Sequence, residues 1–133
     1  MTSLFDVSAI YNIVLRTDKD SWSIFKNNYM IALTPYELGN IAWKHVVRGD
    51  LTTSEGLDIV ALVKTLANVM HVIPLDMDDM PAIFSLANDK RISFYDASYL
   101  HYAKTREFLL VTDDGKLAQA AEPAITVIST DSL

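Results

Sequence analysis

The run FLLVTDDGKLA, residues 108–118, decides the fold. Phe108 to Thr112 is an uninterrupted, mainly apolar run of the kind shown by a strand covered on both faces, and such strands belong to parallel sheets. Asp113, Asp114 and Gly115 then make a turn, and GKLAQAA, residues 115–121, reads as a small helix. Strand, acidic turn and helix in that order start a crossover in an α/β sheet.

The same alternation runs outward in both directions. Toward the N-terminus, Ser3–Phe5 predicts a short first strand, with Ser8 starting the helix AIYNIVLR. The polar stretch TDKDSW, residues 17–22, leads into a short amphipathic segment around SIFKNN, and YMIAL, residues 29–33, gives the second strand. Thr34-Pro35 is a helix start, a hydroxyl cap followed by proline at the first helical position. The helix it opens carries Leu38, Ile41, Ala42 and Val46 at helical spacing and stops at Gly49-Asp50. Thr53 with Gly56 opens LDIVALVKTLANVM, expected to be long and mostly buried. HVIPL, residues 71–75, predicts a third strand, and Asp76 caps the helix carrying MPAIFSLAND. Ser93 caps FYDASYLHYAKT, and AITVIS, residues 124–129, supplies the last strand. The fold expected from this pattern is α/β with a mainly parallel sheet, and the 133 residues form a single domain over 1–133, with no repeat, linker or low-complexity run.

Composition excludes several function classes. Half of the residues are hydrophobic and 21% are charged, which excludes a disordered chain. No cysteine is present, so disulfides, zinc–thiolate sites and thiol nucleophiles are excluded together, and a reducing, cytoplasmic setting is expected. The apolar N-terminus is interrupted at Asp6 and lacks a basic region, so no signal peptide is expected. No apolar run approaches the roughly 20 residues of a membrane span. A net charge of −6 argues against broad electrostatic binding of nucleic acid. A local basic rim could still come from Lys44, Arg48, Lys90, Arg91, Lys104, Arg106 and Lys116.

The acids carry the chemistry. In open α/β sheets, ligands sit beyond the carboxyl ends of the strands, where strand order reverses. Asp6 follows strand one, Asp113 and Asp114 follow strand four, and Glu37 and Asp96 lie in the first turns of their helices. An acid in a first turn also has a purely structural use, since it complements the helix dipole. Asp6 could cap its own helix. Capping, however, needs one acid per helix and gives no reason for several to converge. Carboxylates placed together repel, and a bound hard cation relieves that repulsion. The run Asp76, Asp78, Asp79 reads instead as a helix start with a solvated face, since it lacks the glycine and glutamate of a calcium loop. The three histidines, His45, His71 and His101, have no metal-ligand spacing. Trp22, Trp43, Tyr95, Tyr99 and Tyr102 could stack on bases, though core or interface packing accounts for most of them.

Read in order, FDVSAI (Asp6, Ser8), TPYELGN (Glu37), YDASYLHYA (Asp96) and VTDDGKL (Thr112, Asp114, Leu117) resemble the four motifs of the PIN-domain ribonucleases, in particular the toxin subunits of VapBC-type toxin–antitoxin pairs. The resemblance covers essentially the whole chain. It implies a three-layer α/β/α fold with a sheet of four to five strands. It further implies metal-dependent hydrolysis of RNA phosphodiesters as an endoribonuclease, with Mg²⁺ or Mn²⁺ as cofactor. Asp6, Asp96 and Asp114 would be the metal ligands. Glu37 would orient the attacking water or support the ligands from behind. Asp113 falls in the motif's variable slot, so Asp114 carries the correspondence. Ser8 and Thr112 would bond a ligand carboxylate, a metal-bound water or a phosphate, or serve as cap and strand end. Asn40, one turn after Glu37, would support it, and Asn12 would act similarly or as a plain turn-facing polar residue. The implied partners are RNA, a cognate antitoxin and a second copy in a homodimer. The competing reading is a catalytically silent adaptor of the same fold. A phosphatase with an Asp nucleophile would want an acid where Ser8 stands, and a response-regulator receiver would carry its acidic pair near the N-terminus.

Overall fold

The structure, a computed structural model, describes residues 1–16 and 19–133. Part of the polar stretch assigned to residues 17–22 therefore lies outside the described residues. Five strands, β1 (Ser3–Phe5), β2 (Tyr29–Ile31), β3 (His71–Ile73), β4 (Leu109–Val111) and β5 (Val127–Ile128), form one sheet in the order β3-β2-β1-β4-β5. Every pairing is parallel. The expected sheet is thus complete at five strands.

Between the strands run α1 (Val7–Leu15), α2 (Thr34–Arg48), α3 (Thr53–Val69), α4 (Met80–Lys90), α5 (Phe94–Thr105) and α6 (Gly115–Ala121), with 3₁₀ segments at Lys19–Phe25, Met77–Asp79 and Thr130–Ser132. Alternation along the short strands sorts the core into two layers. Phe5, Met30 and Val111 pack with Ile10, Ile13, Leu38, Ile59 and Leu66 from α1, α2 and α3. Leu4, Ile31, Ile73 and Leu110 pack with Ile83, Leu100 and Leu117 from α4, α5 and α6. Parallel strands covered on both faces are what the apolar runs required. Chain order moves from β1 to β3 on one side and from β4 to β5 on the other, so strand order reverses between β1 and β4.

Several local readings need correction. Ser8 does not start α1; Asp6 caps it, because its carboxylate reaches the backbone N–H of Ala9 at 2.9 Å. Thr34 does not cap α2, whose N-cap Leu33 has no side-chain bond, because the Thr34 hydroxyl is drawn instead to Tyr99 at 2.8 Å. Thr52, not Thr53, caps α3, in a capping box with Glu55. Helix α3 is long but not mostly buried: Leu57, Val60 and Val69 are exposed, because this outer helix packs chiefly on α2. Gly49 does end α2, at φ 84°, a left-handed conformation that favours glycine. Asp76 does not cap α4, whose N-cap Asp79 makes no side-chain capping bond, but caps the 3₁₀ turn before it through the Asp78 N–H, and Ser93 caps α5 by accepting from the Asp96 N–H at 3.0 Å.

Candidate active site

The reversal between β1 and β4 is where Asp6 and Asp114 emerge. The Asp6 N–H donates to the Val111 carbonyl at 3.1 Å and the Thr112 N–H to the Ile128 carbonyl at 3.0 Å, so the two sheet ladders run directly into the site. Asp6 is only 3% exposed. Its Oδ1 accepts from the Ser8 hydroxyl at 2.7 Å and from the Ala9 N–H at 2.9 Å, and its Oδ2 accepts from the Thr112 hydroxyl. Each hydroxyl in turn accepts from the acidic turn: Ser8 Oγ from the Asp113 N–H and Thr112 Oγ1 from the Asp114 N–H, both at 3.0 Å. A carboxylate offers about four lone-pair positions, so Asp6 keeps acceptor capacity for a further ligand.

The adjacent acids of the turn part company. Asp113 turns to the α1 side, where its Oδ2 takes the Asn12 amide at 2.6 Å and the Thr130 hydroxyl at 2.7 Å, while Oδ1 takes the Thr130 N–H at 2.8 Å. Burial pushes the Asp113 carboxyl up, but these bonds and the nearby Arg16 outweigh it and hold the group below the usual carboxylate range. Asp114 caps α6 through Oδ1, which accepts from Lys116 N–H at 2.9 Å and Leu117 N–H at 3.2 Å. Its charge reaches both Asp6 and Asp96.

From the helices come Glu37 and Asp96, each in a first turn. The Tyr99 hydroxyl donates to Glu37 Oε1 at 2.7 Å. Burial, opposed by that bond and reinforced by the charges of Asp96 and Asp6, raises the Glu37 carboxyl above its ordinary value. Burial and then the Asp114 charge raise Asp96, against the opposing pull of Lys116 and Ser93. Asp6 is raised by burial and by Asp114, although its three hydrogen bonds oppose the shift. Acids from four separate parts of the chain therefore press on one another at one end of the sheet. This is the electrostatic condition that favours a cation.

The match to the PIN domain spans residues 4–123 of the chain.

The chain belongs to the PIN-domain family.

It is similar to exonuclease VapC9 of Pyrobaculum aerophilum, 31% identical over 125 residues that cover 93% of this chain and 89% of that protein. Among solved structures it is similar to the Pyrobaculum aerophilum protein PAE2754, with a TM-score of 0.81 at 23% identity over 99% of this chain and 85% of that one. It is also similar to the DNA-bound VapBC structure from Salmonella typhimurium, with a TM-score of 0.70 at 14% identity over 98% of each chain. Both solved structures share the three-layer fold.

As they stand, no three Asp, Glu or His side chains among the described residues lie close enough to enclose an ion by themselves. The donor set nevertheless fits a hard cation. All donors are carboxylate oxygens, three of the four acids are raised by burial and by one another's charge, and magnesium binds through one or two carboxylates while keeping several waters. Asp6, Asp114, Asp96 and Glu37 lie with Ser8 and Thr112 at this end of the sheet, near enough for their charges to act on one another. Asn40 is exposed, and among the described residues its side chain makes no hydrogen bond to Glu37.

Tyr99 is 1% exposed and so cannot stack on a base. Its part in holding Glu37 had one signal in the sequence: it lies three residues after Asp96, on the same helix face. Buried Tyr102 likewise packs in the core, whereas Trp43 and Tyr95 are exposed. His45 is tied to Asp50 at 3.0 Å and stacked on Tyr11, and His101 faces Asp79 at 3.4 Å, so neither joins the acids. The residues proposed as a basic rim are all exposed, and of these only Lys116 contributes to the charge at Asp96. Arg16 was not foreseen; it lines a cleft of about 480 Å³ beside Asp113, Asp114 and Thr130.

Proposed function

We propose that this chain is a metal-dependent ribonuclease and the toxin of a toxin–antitoxin pair, acting in the cytoplasm. The observation that carries the reading is the convergence of Asp6, Glu37, Asp96 and Asp114 at the strand-order reversal, with three of the four raised by burial and mutual charge. The relative named as an exonuclease supports nuclease chemistry, and the VapBC likeness supports an antitoxin partner. No helix among the described residues is long and apolar enough to cross a membrane.

In this reading Asp6, Asp96 and Asp114 are the residues that would hold Mg²⁺ or Mn²⁺. Such an ion would supply a water of lowered pKa and offset charge developing on the phosphate. Ser8 and Thr112 fix the rotamer of Asp6, with their hydroxyl protons spent on its carboxylate. Glu37 aligns the attacking water and takes its proton as the water oxygen bonds to phosphorus, while the opposite P–O bond breaks and the leaving oxygen is protonated from solvent. Burial around Asp6 and Glu37 strengthens each of these interactions by excluding water. The chain works as a homodimer and cuts within RNA, since a site at the carboxyl ends of the central strands, beside an open cleft, admits an internal phosphodiester.

The test is cleavage of a labelled RNA pool by the wild type and by Asp96→Asn, with Mg²⁺ or Mn²⁺ and then with EDTA. Cleavage lost in both the variant and EDTA supports the reading; cleavage that survives both the substitution and EDTA sinks it, and an inert wild type favours the adaptor. A circular RNA, which has no end, must also be cut if cleavage is internal.

A further inference from the structure

Glu37 stands on α2, but what aims it stands on α5. The Ile31 N–H donates to Thr34 Oγ1 at 3.3 Å, Thr34 and Tyr99 share a hydrogen bond at 2.8 Å, and the Tyr99 hydroxyl donates to Glu37 Oε1 at 2.7 Å. A tyrosine hydroxyl has one proton. Because that proton goes to the carboxylate, Thr34 must be the donor to Tyr99, and the chain has one direction, from the end of β2 to the candidate site.

Both hydroxyl carriers are buried, Thr34 and Tyr99 each at 1% exposure. A buried hydroxyl is kept where it has partners on both sides, and a tyrosine ring has few rotamers. The partners are 62 and 65 residues apart in sequence. The link therefore ties the helix that carries Asp96 to the one that carries Glu37.

We propose that Tyr99, backed by Thr34, is the positioning residue that sets the direction of the Glu37 carboxylate toward Asp6 and Asp96. This rests on the reading of Glu37 given above and names what makes that residue competent. Tyr99 touches no substrate; it acts through Glu37 alone. The Thr34 hydroxyl, diverted from capping α2, has its use here.

The test compares Tyr99→Phe, Thr34→Val, Thr34→Ser, Glu37→Ala and the double variant Tyr99→Phe/Glu37→Ala. All are assayed on a labelled RNA pool with Mn²⁺ and enzyme in excess, so that slow residual rates are read. Tyr99→Phe loses about tenfold or more in rate, the size expected for a hydrogen bond to a charged group, with little change in the protein concentration that half-saturates. Thr34→Val loses less, and Thr34→Ser restores most of it. In the Glu37→Ala background Tyr99→Phe costs nothing further. A crystal structure of Tyr99→Phe, read independently of activity, shows Glu37 in a different rotamer. Wild-type rates in Tyr99→Phe beside a dead Glu37→Ala, an unmoved Glu37 in the crystal, or losses that multiply in the double variant overturn the positioning role and leave Glu37 in place. An active Glu37→Ala overturns the reading of Glu37 itself.

Discussion

The acids at the switch point are held in two different ways. Asp6 and Asp114 sit on backbone that the sheet fixes, and Ser8, Thr112 and the N–H groups of Ala9, Asp113 and Asp114 lock that side through reciprocal bonds. Glu37 and Asp96 ride on helix first turns; the Glu37 carboxylate takes a single side-chain bond, from Tyr99, and at Asp96 Ser93 accepts the backbone N–H as the helix cap. The sheet side makes the site and the fold with the same bonds; on the helix side the two can be separated. A substitution should therefore reveal which side it struck by whether stability moves with activity.

The largest contrast is between Asp6→Ala and Asp96→Asn. Both should lose at least about a hundredfold in RNA cleavage. Asp6→Ala also removes the cap of α1, worth about 1 kcal/mol, and strands two inward-facing hydroxyls, so calorimetry should show a melting temperature lower by roughly 5 °C or more. Asp96→Asn should melt no lower than the wild type, because it removes one of several repelling charges. Equal melting temperatures for the two variants would erase the distinction.

The next contrast lies within the turn. Asp113→Ala loses the bonds from Asn12 and from both Thr130 groups and should cost about 2 kcal/mol by urea titration, while the folded protein keeps its cleavage rate. Asp114→Asn preserves a good cap for α6 and should melt close to the wild type while losing cleavage. The reverse pattern would assign the chemistry to Asp113.

These two residues also mark where reading the sequence stops. Strands and helices were legible because FLLVT, YMIAL and HVIPL are apolar runs bounded by turn residues, and because Ser93 and Gly49 sit where cap chemistry needs them. Legibility failed where a polar side chain had a distant competitor. Thr34 looks like a cap, but Tyr99, 65 positions on, takes its hydroxyl. Asp113 and Asp114 differ in the sequence only by their slots in the family motif; the physical difference, Asn12 claiming Asp113 from 101 positions away, is not visible there. Ser8 has the composition of a helix start, yet Asp6 reaches the Ala9 N–H first and leaves the serine free to bond the acid.

The smallest effect separates the two sides by their titration. Folding raises Asp6, Glu37 and Asp96 above their ordinary values of 3.8, 4.5 and 3.8, chiefly by burial. Between those values and the raised ones the folded state holds more protons than the unfolded chain, so stability falls as pH rises. Asp113 has the opposite sign: its lowered value gives stability that is full above 3.8 and is lost as pH falls through the folded value. Metal-free protein should therefore melt lower at neutral pH than in mild acid, with a separate loss of stability in stronger acid. Asp96→Asn should flatten the mild-acid slope, because it removes one raised group and one of the charges that raise Glu37. Asp113→Asn should leave that slope alone and remove part of the strong-acid loss. Millimolar Mn²⁺ should raise the neutral-pH melting temperature of the wild type by mass action and that of Asp96→Asn less. If the slope is the same with and without the Asp96 charge, the crowding of carboxylates is confined to the sheet side, and the helix side contributes aim rather than charge.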